Sequence, residues 1–196
     1  MADFSGIGEV SQSLQAMLTA AIFTSGPFPG TIIDLHSPKE IPAPPGDKKI
    51  LSFWLYRVGR FDELENAPPI VRLDGRLERA PLPLVLHYLM TPIANDELNR
   101  HQLLGLAMRV LHDQAQVGPE FLRPDLLGDI DPPIGLHLEQ QSFEETAKIW
   151  HALHEPYRLS VSYLVQYVAL RSDRSSTLGG RVLETDARFA SIEAAA

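Results

Sequence analysis

The segment that begins at Ser142 constrains the fold more than any other, because a helix signal is followed directly by a strand signal. Ser142 and Glu145 have the spacing of a capping box, which marks a helix N-terminus. Pro156 ends this helix, since proline disfavours helical backbone at the residue before it. Apolar residues then alternate with period two over 159–170, which predicts a strand. Strands are usually about five or six residues long, so this one is expected to lie centrally in a sheet or to extend beyond its edge.

The rest of the chain predicts an α/β (α+β) fold, in which a mixed β-sheet is flanked by helices on one or both faces. The evidence is a succession of segments with helical or alternating apolar periodicity. These segments are a helix at 5–24, strands at 31–35, 50–58 and 84–91, a helix at 96–112, a short helix that begins at 118 and ends at 122 or 126, a strand at 134–139, and the helix and strand described above.

Two long connections interrupt these elements. Prolines at four positions exclude regular structure from 36–49, because each removes a hydrogen-bond donor and fixes φ. The excursion 59–82 contains Asp74-Gly75, which predicts a hairpin turn between two short strands. Loops of such length in compact domains are usually functional or mobile. A single domain over 1–171 is predicted, followed by a C-terminal tail or arm at 172–196 that is either solvated or lies on a neighbouring subunit.

Composition argues against several classes of protein. The chain has no cysteine, which excludes disulfides, thiolate zinc sites and cysteine nucleophiles. Its formal net charge of −8 argues against nonspecific nucleic-acid binding, which requires basic surfaces. The N-terminus lacks the basic leader of a signal peptide, and the apolar runs are far shorter than the roughly 20 residues of a membrane helix. We therefore expect a cytoplasmic protein without direct membrane insertion.

The sequence contains no recognisable catalytic or metal-binding motif. His151, His154 and Glu155 match neither zincin order, and they fall at the C-terminus of a helix, where partial positive charge is favoured. His87 and His137 lie within apolar strands, which predicts hydrogen-bonded core imidazoles. There is no Gly-x-Ser-x-Gly elbow. We expect no enzymatic activity, no metal and no cofactor.

Three blocks of the sequence together resemble a known family. They are FWLYRV at 53–58, LPLVLHYLMTPIANDELNRHQLLGLAMRVLHD at 82–113 and KIWHALHEPYRLSVSYLVQYV at 148–168. In this order they resemble the N-terminal domain of the cap, or tail-terminator, proteins of extracellular contractile injection systems, which are phage-tail-like particles. The resemblance covers residues 4–171 and rests on fold-forming blocks, so it implies a tail-terminator-like fold rather than a catalytic site.

The resemblance also implies a function. A structural cap subunit would form a ring, most often a hexamer, that ends polymerisation of the tube and sheath and sets particle length. Its partners would be further copies of itself and the tube and sheath proteins. The candidate subunit-contact residues lie in the excursion 59–82 and in the tail: Asp62, Asn66, Arg72, Asp74, Arg76, Arg181, Arg188 and Phe189.

Two alternatives remain open at this point. One is an adaptor layered beside the true terminator or linking the particle to an anchor. The other is a small hydrolase or ligand-binding enzyme whose site is assembled from scattered residues.

Overall fold

A computed structural model shows three helices and eight strands in the part of the chain that it describes. The described residues are 4–24, 27–64, 68–71, 76–126, 133–172 and 175–177. The helices are α1 (Gly6–Thr19), α2 (Glu97–Asp113) and α3 (Phe143–Ala152). The strands are β1 (Ile32–Asp34), β2 (Ile50–Arg60), β3 (Ile70–Val71), β4 (Arg76–Glu78), β5 (Leu82–Ile93), β6 (Gly135–Glu139), β7 (Val161–Leu170) and β8 (Ser175–Thr177).

Five strands form the main sheet, in the order β1-β2-β5-β7-β6. β1 is parallel to β2, and all other neighbours are antiparallel, so the predicted mixed sheet is confirmed. β5 is central, and every residue from Pro83 to Ile93 is buried, as its apolar sequence predicts. The long strand predicted at 159–170 is β7, which also lies inside the sheet.

α1 and α2 pack on the same face of this sheet. Their buried residues join those of the strands in one hydrophobic core cluster, which includes Leu14 of α1, Leu103 of α2 and Phe53 of β2. Tyr88 of β5 stacks on Phe53 with ring centroids 4.6 Å apart, and its hydroxyl lies 2.7 Å from the Ser11 hydroxyl. Burial raises the pKa of Tyr88 to about 12, so this hydroxyl stays neutral and able to donate.

α3 contributes a single buried side chain, Trp150, which is 1% exposed and lies outside that core cluster. The predicted capping box is confirmed: the Ser142 hydroxyl accepts from the Glu145 N–H at 3.2 Å, and the Glu145 carboxylate accepts from the Ser142 N–H at 2.8 Å. The Trp150 indole N–H donates to the Ser160 hydroxyl at 3.1 Å. This bond ties α3 to the segment that leads into β7.

The Pro-rich connection 36–49 is held against the domain by hydrogen bonds to its backbone. The Ser52 hydroxyl donates to the His36 carbonyl at 2.8 Å. The Asn95 amide donates to the carbonyls of Pro44 and Gly46, at 3.1 and 2.6 Å. Residues of β2 and of the β5–α2 link therefore fix this loop in place.

Two β-bulges interrupt the alternation of side chains. β2 has an extra residue between Leu55 and Arg57, opposite consecutive residues of β5. β7 has a similar irregularity after Val165, and Tyr167 there adopts a φ of 66°. The uninterrupted alternation predicted over 159–170 is therefore wrong beyond Val165, because the inserted residue returns Val168 to the core face.

The second sheet contains β3, β4 and β8. The predicted hairpin is confirmed by the antiparallel pairing of β3 with β4, although its turn at Asp74-Gly75 lies outside the described residues. β8 pairs with β4, so residues just beyond position 171 contact the same chain. The short helix predicted from 118 to 122 or 126 is wrong at 118–122, where turns occur, and only a 3-10 turn forms beyond it, at Pro124–Leu126.

Candidate functional site

Polar side chains from four strands meet on the face of the main sheet opposite α1 and α2. We call this group the polar cluster, which consists of Tyr56, His87, Glu139, Gln141 and Ser162. Glu139 of β6 and Ser162 of β7 are direct cross-strand partners. Tyr56 is the extra residue of the β2 bulge, a feature that commonly redirects a side chain.

The Glu139 carboxylate is the centre of the polar cluster. It accepts from the Ser162 hydroxyl at 2.6 Å and from the Tyr56 hydroxyl at 3.2 Å. The imidazole Nδ1 of His87 lies 3.1 Å from the same carboxylate. The Gln141 amide donates to the Tyr56 hydroxyl at 2.5 Å and to Glu139 at 3.3 Å. These bonds join β2, β5, β6 and β7 to the link that precedes α3.

The environment of Glu139 favours its ionised form. Burial alone would raise the pKa of this carboxyl, but hydrogen bonds from Ser162 and His87 and the charge of His87 outweigh burial and lower it. Burial raises the pKa of the neighbouring Tyr56 hydroxyl, which keeps Tyr56 protonated as a donor. The cluster is thus one acceptor surrounded by donors.

This geometry does not match that of a nucleophilic triad. In a triad the histidine lies between the nucleophile and the acid and accepts the hydroxyl proton. Here the carboxylate bridges Ser162 and His87, and no hydrogen bond joins those two side chains among the described contacts. Ser162 is only 3% exposed, so a substrate could not reach its hydroxyl. The arrangement is suited to holding four strands together.

The sequence prediction for the histidines is confirmed for His87 and wrong for His137. His87 is buried and hydrogen bonded. His137 is exposed, because β6 is an edge strand of the main sheet. His151 is exposed at the end of α3, and His154 follows with a φ of 56°. Among the described residues, no group of three or more histidine and acidic side chains could hold a metal ion.

The structure describes two of the eight predicted contact residues. Asp62 is exposed in the 3-10 turn Asp62–Leu64 that follows β2. Arg76 is exposed at the start of β4, where it pairs with Thr177 of β8. The other six lie outside the described residues: Asn66, Arg72, Asp74, Arg181, Arg188 and Phe189.

The sequence interpretation missed the polar cluster. Four of its members stand in or at the end of largely apolar strands, and that position was the available signal. Their meeting depends on the strand register and on the β2 bulge, neither of which can be read from periodicity.

Residues 9–184 match the family described as the Pvc16 N-terminal domain. The chain belongs to this family. The predicted resemblance to the N-terminal domain of contractile-injection-system terminators is therefore confirmed, and it extends past the predicted boundary at 171. No curated protein matches the sequence.

Two solved structures share the fold. One is the sheath/tube terminator of the extracellular contractile injection system PVC in its extended state, with a TM-score of 0.69 and 19% identity, covering 95% of this chain and 65% of that chain. The other is the anti-feeding prophage cap, the AFP tube terminating cap, with a TM-score of 0.58 and 16% identity, covering 91% of this chain and 60% of that one. The chain thus spans less than two thirds of either protein's length. No helix among the described residues is long and apolar enough to cross a membrane.

Proposed function

We propose that this chain is the cap, or tail-terminator, subunit of a contractile injection system. The observation that carries the proposal is the family membership over residues 9–184, together with the fold shared with a sheath/tube terminator and a tube terminating cap. The subunit forms a hexameric ring on the end of the tube and sheath. It works in the cytoplasm as part of the assembled particle, without catalysis, metal or cofactor.

The physical basis is that tubes and sheaths grow through open-ended heterologous contacts, in which one surface of a subunit binds a different surface of the next. A closed ring that matches one end and offers no further docking surface stops that growth and fixes the particle length. Such a subunit needs a rigid body. The polar cluster supports this role, because it joins four strands and the link to α3 through charge-assisted hydrogen bonds.

Particle length tests the proposal directly. Particles would be assembled with and without this protein and imaged by negative-stain electron microscopy. The molar mass of the purified protein would be measured in solution. We expect particles without it to vary widely in length and to lack a terminal ring. An unchanged length distribution, with intact ends, would contradict the cap function. A strict monomer in solution and on particles would contradict the ring.

A further inference from the structure

The two edges of the main sheet differ in how they are closed. At the β1 edge, the Gln15 side chain donates to the Ile33 carbonyl at 2.7 Å and so occupies an outward backbone group. At the β6 edge, only the first half is covered: the Leu136 N–H donates to the Ala115 carbonyl at 2.8 Å. The N–H of Leu138 points outward by the same alternation, and no hydrogen bond engages it in the described part of the chain.

An apolar groove runs beside this open edge. It has a volume of about 640 Å³ and lies between β6 and the last turns of α2, with Met108, Leu111, Leu136 and Leu138 among its walls. Leu138 is 54% exposed, and an exposed apolar residue on an open strand edge favours pairing with another chain. An extended peptide could pair with β6 through its backbone and insert alternate side chains into the groove.

The borders of the groove carry positively charged or titratable nitrogen groups. Arg109 and His112 of α2 and His137 of β6 line it, and all three are exposed. By alternation, His137 lies on the opposite face of β6 from the groove-wall residues Leu136 and Leu138. A segment that fits should therefore place an apolar residue in the groove and an acidic one beside His137.

We propose that residues 182–186 of a second copy of this chain add to the β6 edge as an extra strand. Their sequence is VLETD. In an extended segment, Leu183 and Thr185 lie on one side and suit the groove, while Glu184 and Asp186 lie on the other side, beside His137. The proposal rests on the proposed ring and names one contact within it.

The distances along the chain favour a second copy, rather than the same copy, as the source of the segment that pairs with β6. Leu138 pairs with Tyr163, and the chain leaves β7 at Leu170, which is about 23 Å farther along the strand. It then forms β8 in the other sheet, and the link from Thr177 to Val182 spans at most about 17 Å. A segment from a neighbouring copy does not have to turn back along the whole of β7.

Disulfide cross-linking between engineered cysteines tests the contact. The chain has no native cysteine, so no other disulfide can form. His137→Cys protein is mixed with Glu184→Cys protein under mild oxidation. The backbone of His137 faces β7, so a residue opposite it on the added strand has the close Cα spacing that a disulfide accepts. The control mixture pairs Glu184→Cys with Gln102→Cys, an exposed α2 position outside the groove.

We expect about tenfold more covalent heterodimer from the first mixture than from the control, because docking raises the local thiol concentration. Equal yields in both mixtures, or no heterodimer while the wild-type protein still forms a ring, would overturn the contact but leave the ring standing. A cross-link within one chain in the double variant would overturn assignment to a second copy. A monomeric wild-type protein would overturn the ring and this contact together.

Substitutions at the edge provide an independent readout. Leu138→Lys places a charge on the open edge, and Leu138→Pro removes its outward N–H without breaking the ladder with β7. Leu138→Pro loses the backbone hydrogen bond, and Leu138→Lys loses the apolar contact. Each variant should therefore form the ring about tenfold more weakly than the wild-type protein. Leu98→Lys is the control, at a leucine that is 62% exposed and outside the groove. Equal weakening by Leu98→Lys and Leu138→Lys would overturn the proposal.

Discussion

At the residue scale, Glu139 is the side chain on which the polar cluster depends. Glu139→Gln keeps the volume but replaces the charged acceptor of four donors. We expect it to lower the free energy of unfolding by about 1–2 kcal/mol at neutral pH. Glu144→Gln is the matched control, because Glu144 is exposed and forms a surface ion pair with Lys148 on α3, so its change should stay within about 0.5 kcal/mol. Urea titrations would measure both values.

The effect of Glu139→Gln should also depend on pH. The folded state lowers the pKa of Glu139 below its usual 4.5, so its carboxylate contributes stability above that value and loses the contribution as pH falls through the lowered pKa. The difference between the wild-type protein and the variant should therefore shrink in acid. An equal difference at neutral and strongly acidic pH would show that the charge of Glu139 does not stabilise the fold.

His36 offers a second prediction at this scale. Its Nδ1 lies 2.6 Å from the Asp34 carboxylate, and this hydrogen bond and charge raise the His36 pKa above its usual 6.5. Protonated His36 is therefore favoured at low pH, and the interaction is lost as pH rises through the raised pKa. An NMR titration should show this elevated value, and Asp34→Asn should return it toward 6.5. An unchanged His36 pKa in that variant would contradict the assignment.

At the scale of single elements, α3 should depend on one side chain. Trp150 is its only buried residue, and truncating a buried aromatic costs about 3–5 kcal/mol. Trp150→Ala should destabilise the protein by that amount, whereas Glu144→Ala, at an exposed position, should change little. Trp150→Phe keeps a buried aromatic ring but removes the indole N–H. It would therefore distinguish the contribution of packing from that of the hydrogen bond to Ser160. Equal midpoints for the two alanine variants in urea would show that Trp150 does not anchor the helix.

The elements also show how far local sequence signals reach. The capping box, the Asp96 N-cap of α2 and the buried run of β5 act within a few residues, and each was predictable. Tyr163 belongs to the core cluster and Val161 packs against it, although both lie on the strand that follows α3. Trp150 contacts Ser160 and Tyr157. Which side of a sheet a helix covers is decided by the connection between them, and periodicity does not encode that choice.

The polar cluster illustrates the same limit for the candidate site. Glu139, His87 and Ser162 are up to 75 residues apart in sequence, and they meet because β6, β7 and β5 pair in a particular register. The bulge that adds Tyr56 reverses which face of the sheet the later side chains of β2 point to. No glycine or proline at the bulge indicates it in the sequence. Such features come from the fit of whole strands, so local patterns could not predict them.

At the scale of the whole molecule, truncation separates the domain from the C-terminal residues. We expect deletion of 178–196 to leave the unfolding free energy nearly unchanged, because it keeps β8 paired with β4. Deletion of 172–196 removes β8 as well and should destabilise the small sheet. Both truncations should weaken ring formation and attachment to particles, since the removed residues include Leu178, Val182, Leu183, Phe189 and Ile192, more apolar groups than a purely solvated segment needs. Urea titration and solution mass would give the two readouts. Normal rings and particles of normal length from the protein lacking 178–196 would show that these residues make no contact between subunits.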